Sequence, residues 1–264
     1  MTTQHPGTRQ TARQRLQEAH RREQRAAVVR RRTTVGVSIV AALAVVGGVV
    51  AAIATASDGS SPAANAPVVT PAHASGGDGT TVVYGKADAP HTLQVYEDFR
   101  CPICHEFETS AGQAVQQLAD DGTYKIEYHL ASFLDGNLGG KGSRTALAAA
   151  GAALDQGVDQ FKKFHDVLYA NQPAETTDGF GDVNHLLDLA GKVPGLKTAA
   201  FTKAVTEGTY QPWAAKVSKA FDASGVSGTP TVMLDGKALK VFDSAGKPLT
   251  GEQYTALIRS TIGG

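Results

Sequence analysis

The sequence predicts an α/β domain whose middle is filled by an inserted helical block, preceded by a single transmembrane helix and a flexible linker. Three observations predict it. Period-two apolar runs occur near both ends of the region 80–264, which argues for strands. Helical patterning broken by glycine and proline fills about 143–224 between them. An uncharged run from Thr33 to Ser57 precedes the whole region.

The net charge of zero hides two opposite bodies. Residues 1–34 hold nine Arg and two Glu and no Lys or Asp, giving +7, so the remainder carries −7. No aromatic residues interleave with those arginines for base stacking, so the segment 1–32 reads as a basic cytoplasmic tail resting on anionic headgroups, with no nucleic-acid partner expected. The run 33–56 has the roughly 20 apolar residues that a membrane-spanning helix needs. Arg30, Arg31 and Arg32 directly before it place the N-terminus inside, so the C-terminal body faces outward across the plasma membrane. A cleaved signal peptide competes through Ala54-Thr55-Ala56, but the apolar run is longer than such a peptide carries. Residues 57–79 lack aromatics and are rich in Gly, Ser, Pro and Ala, which predicts a flexible tether of roughly 25–30 Å mean reach.

The folded domain is expected over 80–264. Thr81 to Tyr84 and His91 to Glu97 read as strands, a helix runs from Pro102 to Ala119, and Tyr124 to Leu130 alternates again. Gly136 to Gly142 reads as a loop. Helices follow near 143–156, 158–170, 182–190, 198–207 and 212–224. Thr231 to Leu234 is a short strand, Asp235-Gly236 a hairpin turn, Lys240 to Phe242 a second strand, and Gly251 to Ile262 a closing helix. No internal repeat appears.

Chemistry concentrates in Cys101-Pro102-Ile103-Cys104-His105, which holds both cysteines of the chain. The preceding strand and following helix put Cys101 at a helix N-terminus, where unpaired N–H groups favour a thiolate. Four readings compete. Structural zinc wants about four ligands, and no second cysteine pair exists. A structural disulfide would close too small a loop to contribute much chain entropy. Covalent haem matches Cys101-x-x-Cys104-His105, although Met233, the one candidate distal methionine besides Met1, falls in an expected strand. A redox-active dithiol at a β–α junction is the fourth. Farther along, Thr229-Pro230 stands just before a strand, where proline can give no ladder hydrogen bond, and a cis bond would suit it. His91, His129, His165 and His185 are scattered through unrelated elements and read as surface or core residues rather than ligands.

Four features together resemble the thioredoxin-fold DsbA family of exported thiol–disulfide oxidoreductases, in its membrane-anchored bacterial form. They are Ala89-Pro90 with Val95 through Phe107, the segment Phe164 to Gln172, Gly225 through Thr231, and the helical block between the two halves. The resemblance covers Thr80 to Gly264 and implies a thioredoxin fold with a helical insertion. It implies that Cys101 is an exposed nucleophile and Cys104 its buried partner. Pro102 and Ile103 would tune the redox pair, and His105 would either tune the thiolate or stand as a solvated helix residue, while Pro230 in cis and Thr229 would meet the substrate backbone. An acid often lies buried six residues before the first cysteine in such proteins; here that position is Val95, and Glu97 and Asp98 are the nearby candidates for proton transfer. The implied activity is a dithiol oxidase for reduced exported proteins, with no cofactor beyond the Cys101–Cys104 pair and with a membrane-embedded thiol oxidase as recycler. A reductase or isomerase of the same fold, or a haem electron carrier, are the alternatives.

Overall fold

A computed structural model describes residues 67–263. The basic tail 1–32, the expected span 33–56 and the linker portion 57–66 lie outside the described residues. Among the described residues no helix is long and apolar enough to cross a membrane.

The elements are β1 (Val82–Tyr84), β2 (Thr92–Asp98), α1 (Pro102–Asp120), β3 (Lys125–Ala131), α2 (Phe133–Leu138), α3 (Gly142–Gln156), α4 (Val158–Ala170), α5 (Val183–Ala190), α6 (Ala199–Glu207), α7 (Gln211–Ala223), β4 (Thr231–Leu234), β5 (Lys237–Ala238) and α8 (Gly251–Ile262). The strands form one sheet in the order β1-β3-β2-β4-β5. Only β2 and β3 run parallel, joined by the crossover helix α1; the other pairs are antiparallel.

Alternation along β2 sends Leu93, Val95 and Glu97 to one face and Tyr96 to the other. The first face packs under α1, α4 and α8: Tyr128 of β3 meets Phe161 and His165 of α4, and Phe107 of α1 meets Tyr254 of α8. The opposite face is covered by α7, whose Phe221 meets the Tyr96 ring edge-on. Register decides where the site falls. Tyr96 pairs with Thr231, so the residues just before β4 lie beside the turn that follows β2.

Most expected elements stand where the patterning put them, and three differ. The expected loop over 136–142 contains the end of α2. Its glycines mask a six-residue helix held at its start by Asp98, whose carboxylate accepts the Leu134 N–H at 3.2 Å. The strand expected at 240–242 is replaced by β5 at Lys237–Ala238. The two-residue turn Asp235-Gly236, with φ of 50° and 76°, returns the chain into pairing at once. Val241 is buried, which is what its apolar pattern reflected.

The third difference lies at the domain edge. Residues 71–79, expected as free tether, pack onto the helical block. Asp155 accepts the Ala72 N–H at 2.9 Å, Trp213 donates its indole N–H to the Gly79 carbonyl at 2.8 Å, and Ser75 bridges Thr81. A Gly/Ser/Ala composition does not disclose partners that lie so far along the chain. Trp213 is wholly buried and lies across Gly151 of α3, where an added Cβ would sit 2.8 Å from the ring. Gly151→Ala is therefore expected to cost about 1–3 kcal/mol by overpacking, read from the midpoint of denaturant unfolding; unchanged stability would contradict this packing.

Candidate active site

Cys101 is the N-cap residue of α1, extended at φ −71° and ψ 116°, and Pro102 occupies the first turn, where its missing N–H costs nothing. The N–H groups of Ile103 and Cys104 are left facing the Cys101 sulfur. Both cysteines are free thiols. Cys104 is wholly enclosed at 0% exposure, as expected, but Cys101 retains only 6% and is not the exposed residue that the resemblance implied. The chain before β4 covers it. Thr229–Pro230 is cis, and the Cys101 S–H donates to the Thr229 carbonyl at 3.4 Å.

The two sulfurs are electrostatically unequal. A hydrogen bond from the Cys104 thiol is the largest influence on Cys101. Against the opposing effect of burial, that bond and the two helix N–H groups bring the Cys101 thiol down to about 7. Burial pushes Cys104 well above the ordinary thiol value, and the charges of Cys101 and Glu97 add to it. Removing the thiol donor by Cys104→Ala should move the alkylation midpoint of Cys101 upward toward the ordinary 9.0; an unchanged midpoint would contradict the hydrogen-bond assignment.

The remaining expected site residues divide. Ile103 contributes its backbone N–H, while the residue itself is 43% exposed. His105 is turned away from hydrogen bonding with the sulfur: its Nδ1 bonds the Tyr169 carbonyl of α4 at 2.7 Å. Glu97 and Asp98 are both buried but occupy different surroundings. Asp98 accepts N–H bonds from Arg100 and Leu134, and burial raises its carboxyl to about 6. Glu97 accepts from His165 Nε2 at 2.6 Å, with both side chains at 0% exposure. His165 is thus a core residue, as expected, and also the partner of a buried acid.

Sequence reasoning missed four contributors. Gln172 donates to the carbonyls of Phe99 and Cys101 at 2.9 and 3.0 Å, bracing the turn from behind. Arg100, nearly buried, ties the same turn to the helical block through Asp135 at 2.8 Å and the carbonyls of Gly139 and Glu175. Glu108 lies one helical turn beyond Cys104, and Lys162 is buried against Asp166. The segment Phe164 to Gln172 carried the signal for part of this, since His165, Tyr169 and Gln172 follow one helical stripe toward the cysteines.

The arrangement also speaks to the competing readings of the motif. Haem attachment needs both sulfurs within reach of a vinyl group, whereas Cys104 is enclosed and His105 is engaged with α4. The one group of metal-ligating side chains gathered together among the described residues is Glu97, Glu108 and His165, which includes neither cysteine.

A family model described as Thioredoxin matches residues 77–260. The chain belongs to the thioredoxin family. Within that family it is similar to disulfide bond formation protein D of Bacillus subtilis, at 29% identity over 161 residues, covering 61% of this chain and 70% of that protein. Among solved structures it is similar to the reduced disulfide bond oxidoreductase DsbG of Mycobacterium tuberculosis, with a TM-score of 0.59, 28% identity, and coverage of 71% of this chain and 90% of that one. Oxidised DsbA of the same organism gives a TM-score of 0.57 and 27% identity, over 70% of this chain and 93% of that one. The DsbA-like resemblance read from the motifs holds. The thioredoxin-family domain with its helical insertion accounts for the described part of the chain.

Proposed function

We propose that this thioredoxin-family protein is an extracytoplasmic, membrane-tethered thiol–disulfide oxidoreductase that oxidises dithiols in exported proteins. The observation that carries the reading is the inequality of the two sulfurs at the start of α1. Cys101 is stabilised as a thiolate and faces the cis-proline segment, while Cys104 is enclosed and held as a thiol. Similarity to disulfide bond formation protein D of Bacillus subtilis supports the oxidative direction.

The mechanism follows from those positions. A client thiolate attacks Cys101 of the oxidised pair; the new sulfur–sulfur bond forms as the Cys101–Cys104 bond breaks, and the electron pair leaves on Cys104. A second client thiolate then attacks the client sulfur of the mixed disulfide and releases Cys101. Two electrons have passed from client to enzyme, and the low affinity of Cys101 for protons makes it a good leaving group. Ile103, exposed at the rim, and the backbone around Thr229 and Pro230 would receive the client chain. A membrane-embedded thiol oxidase would take the two electrons onward, and the span 33–56 would keep the domain within its reach.

The test offers reduced, denatured substrate to the oxidised protein and to Cys101→Ser. The intact protein is expected to restore substrate activity well above background and the variant to leave it at background; equal rates would overturn the reading. A reductase of the same fold would fail to accelerate this reaction.

A further inference from the structure

The cap that holds the Cys101 sulfur against the start of α1 is fastened from outside α1, by a side chain of the helical block. Resting on the exchange reaction above, we propose that Gln172, just past the end of α4, is a positioning residue of that reaction. Its amide fixes the Cys101 backbone so that the first N–H groups of α1 stay aimed at the sulfur, and this sets how readily Cys101 leaves. Gln172 acts through the backbone of the turn, not by contact with the client.

Three sets of contacts carry this. First, the peptide joining Cys101 to Pro102 has no N–H, because proline supplies its nitrogen. Only the Cys101 carbonyl is left to fix its orientation by hydrogen bonding. That carbonyl is held from two directions, by the His105 N–H of α1 at 3.1 Å and by Gln172 Nε2 at 3.0 Å. The His105 bond belongs to α1 and moves with it, whereas Gln172 anchors the cap from another element. Second, the same amide gives its other hydrogen to the Phe99 carbonyl at 2.9 Å. Phe99 is wholly buried and lies past the end of β2, so the strand ladder does not provide that donor. Between these two carbonyls the turn closes, with the Cys101 N–H on the Asp98 carbonyl at 2.9 Å. Third, Gln172 is itself held in place. Its backbone N–H bonds the Tyr169 carbonyl at 3.2 Å, and that carbonyl is also the partner of His105 Nδ1 at 2.7 Å. The end of α4 thus grips α1 both at its cap and just past Cys104.

Turning the Cys101–Pro102 peptide changes ψ at Cys101, and with it the approach of the sulfur to the Ile103 and Cys104 N–H groups. Those groups matter most when the sulfur is charged. In the releasing step a second client thiolate bonds the client sulfur, the bond from that sulfur to Cys101 breaks, and the electron pair stays on Cys101. The two N–H groups receive that charge as it forms, so a cap held in register makes Cys101 the better leaving group and favours the dithiol form. The Thr229 carbonyl, which takes the Cys101 S–H bond, has to yield when the client is attached. Gln172 bonds the backbone of the turn and leaves the sulfur free, so its hold lasts through both exchange steps.

The test equilibrates the full chain with glutathione and reads the ratio of disulfide to dithiol. Gln172→Met keeps the length of the side chain and removes the donor. It is expected to shift the ratio toward the disulfide by roughly fivefold, what one misaligned N–H donor is worth. Asn171→Ala is the control from the same end of α4, since that side chain bonds the Val167 carbonyl and Lys192 and neither belongs to the turn. It is expected to leave the ratio at the native value. A residue that only supported the fold would destabilise both redox forms alike and would not move the ratio. The native protein gives a second readout that needs no variant to fold. By NMR, the Gln172 side-chain amide hydrogens are expected to exchange with solvent at least about tenfold more slowly than those of free glutamine, in both redox forms. An unshifted ratio in Gln172→Met, an equal shift in Asn171→Ala, or exchange at the free rate would overturn the proposal. Since glutathione replaces the client, a chain that behaves as expected here yet oxidises no client would refute the oxidase reading alone.

Discussion

Replacing His165 with Leu is expected to be among the most damaging single changes in the domain, costing about 3–5 kcal/mol. The pair it forms with Glu97 has both side chains at 0% exposure. Burial alone would discharge the imidazole, but the charge of Glu97 and the bonds to Asp166 and Glu97 outweigh it and hold His165 up at about 10. Removing the ring leaves Glu97 enclosed with no donor, and leucine can fill the space without answering the charge. Denaturant unfolding of the reduced protein measures the loss, and a variant within about 1 kcal/mol of the native protein would show that Glu97 is not held by this contact.

The same cluster sets a pH dependence with a definite sign. Glu108 is raised from 4.5 to about 7 and His165 from 6.5 to about 10, so the native state holds both protons more tightly than the unfolded chain. Stability from each is present below the unfolded value and lost as pH climbs to the folded one. Asp98, raised from 3.8 to about 6, acts in the same direction. Above neutrality Cys101 opposes them, since its lowered value adds stability as pH rises from about 7 toward 9.0. The reduced protein should therefore lose stability between pH 4.5 and about 7, and Glu108→Gln should flatten that decline. A rise over that interval would contradict these assignments.

The second large effect is expected at Arg100. Its guanidinium, 5% exposed, bonds Asp135 at 2.8 Å and the carbonyls of Gly139 and Glu175, and lies 3.5 Å from Asp178. Asp135 in turn receives the N–H groups of Ser143 and Arg144, and Asp178 those of Lys141 and Gly142, all at the start of α3. Arg100→Leu would strip the counter-charge from both carboxylates and free the turn that carries Cys101 from the helical block. A loss of about 3–5 kcal/mol is expected, together with faster alkylation of Cys101 as its cover loosens. Lysine would rescue only in part, because it lacks the planar fork that reaches an acid and two carbonyls together.

These two residues mark where sequence reading stopped. The strands, the helices and the Cys101 and Pro230 positions were legible because each rests on local pattern: alternation, a helix stop, or a residue type with one chemical use. The contact of Glu97 with His165 joins residues 68 apart and leaves no periodic trace. A sharper signal was nevertheless present. Glu97 occupies an inward register position among Leu93, Val95 and Phe99, and a charge there demands a partner. The docking of 71–79 was invisible for a different reason, since most of its bonds run through backbone amides and carbonyls, which look alike in any sequence, with one more through the His73 ring to the Leu154 carbonyl. Cys101 was placed correctly at the helix start but judged too open, because what covers it arrives with residues 229–230.

To drain electrons from clients as proposed, the Cys101–Cys104 pair must have a midpoint potential in the oxidising range. Equilibrating the full chain with graded glutathione buffers and trapping free thiols by alkylation gives the value. The oxidative direction proposed above predicts a potential more positive than about −180 mV, in the range of oxidising exchange proteins. A potential near about −270 mV, where reducing members of this fold lie, would contradict it.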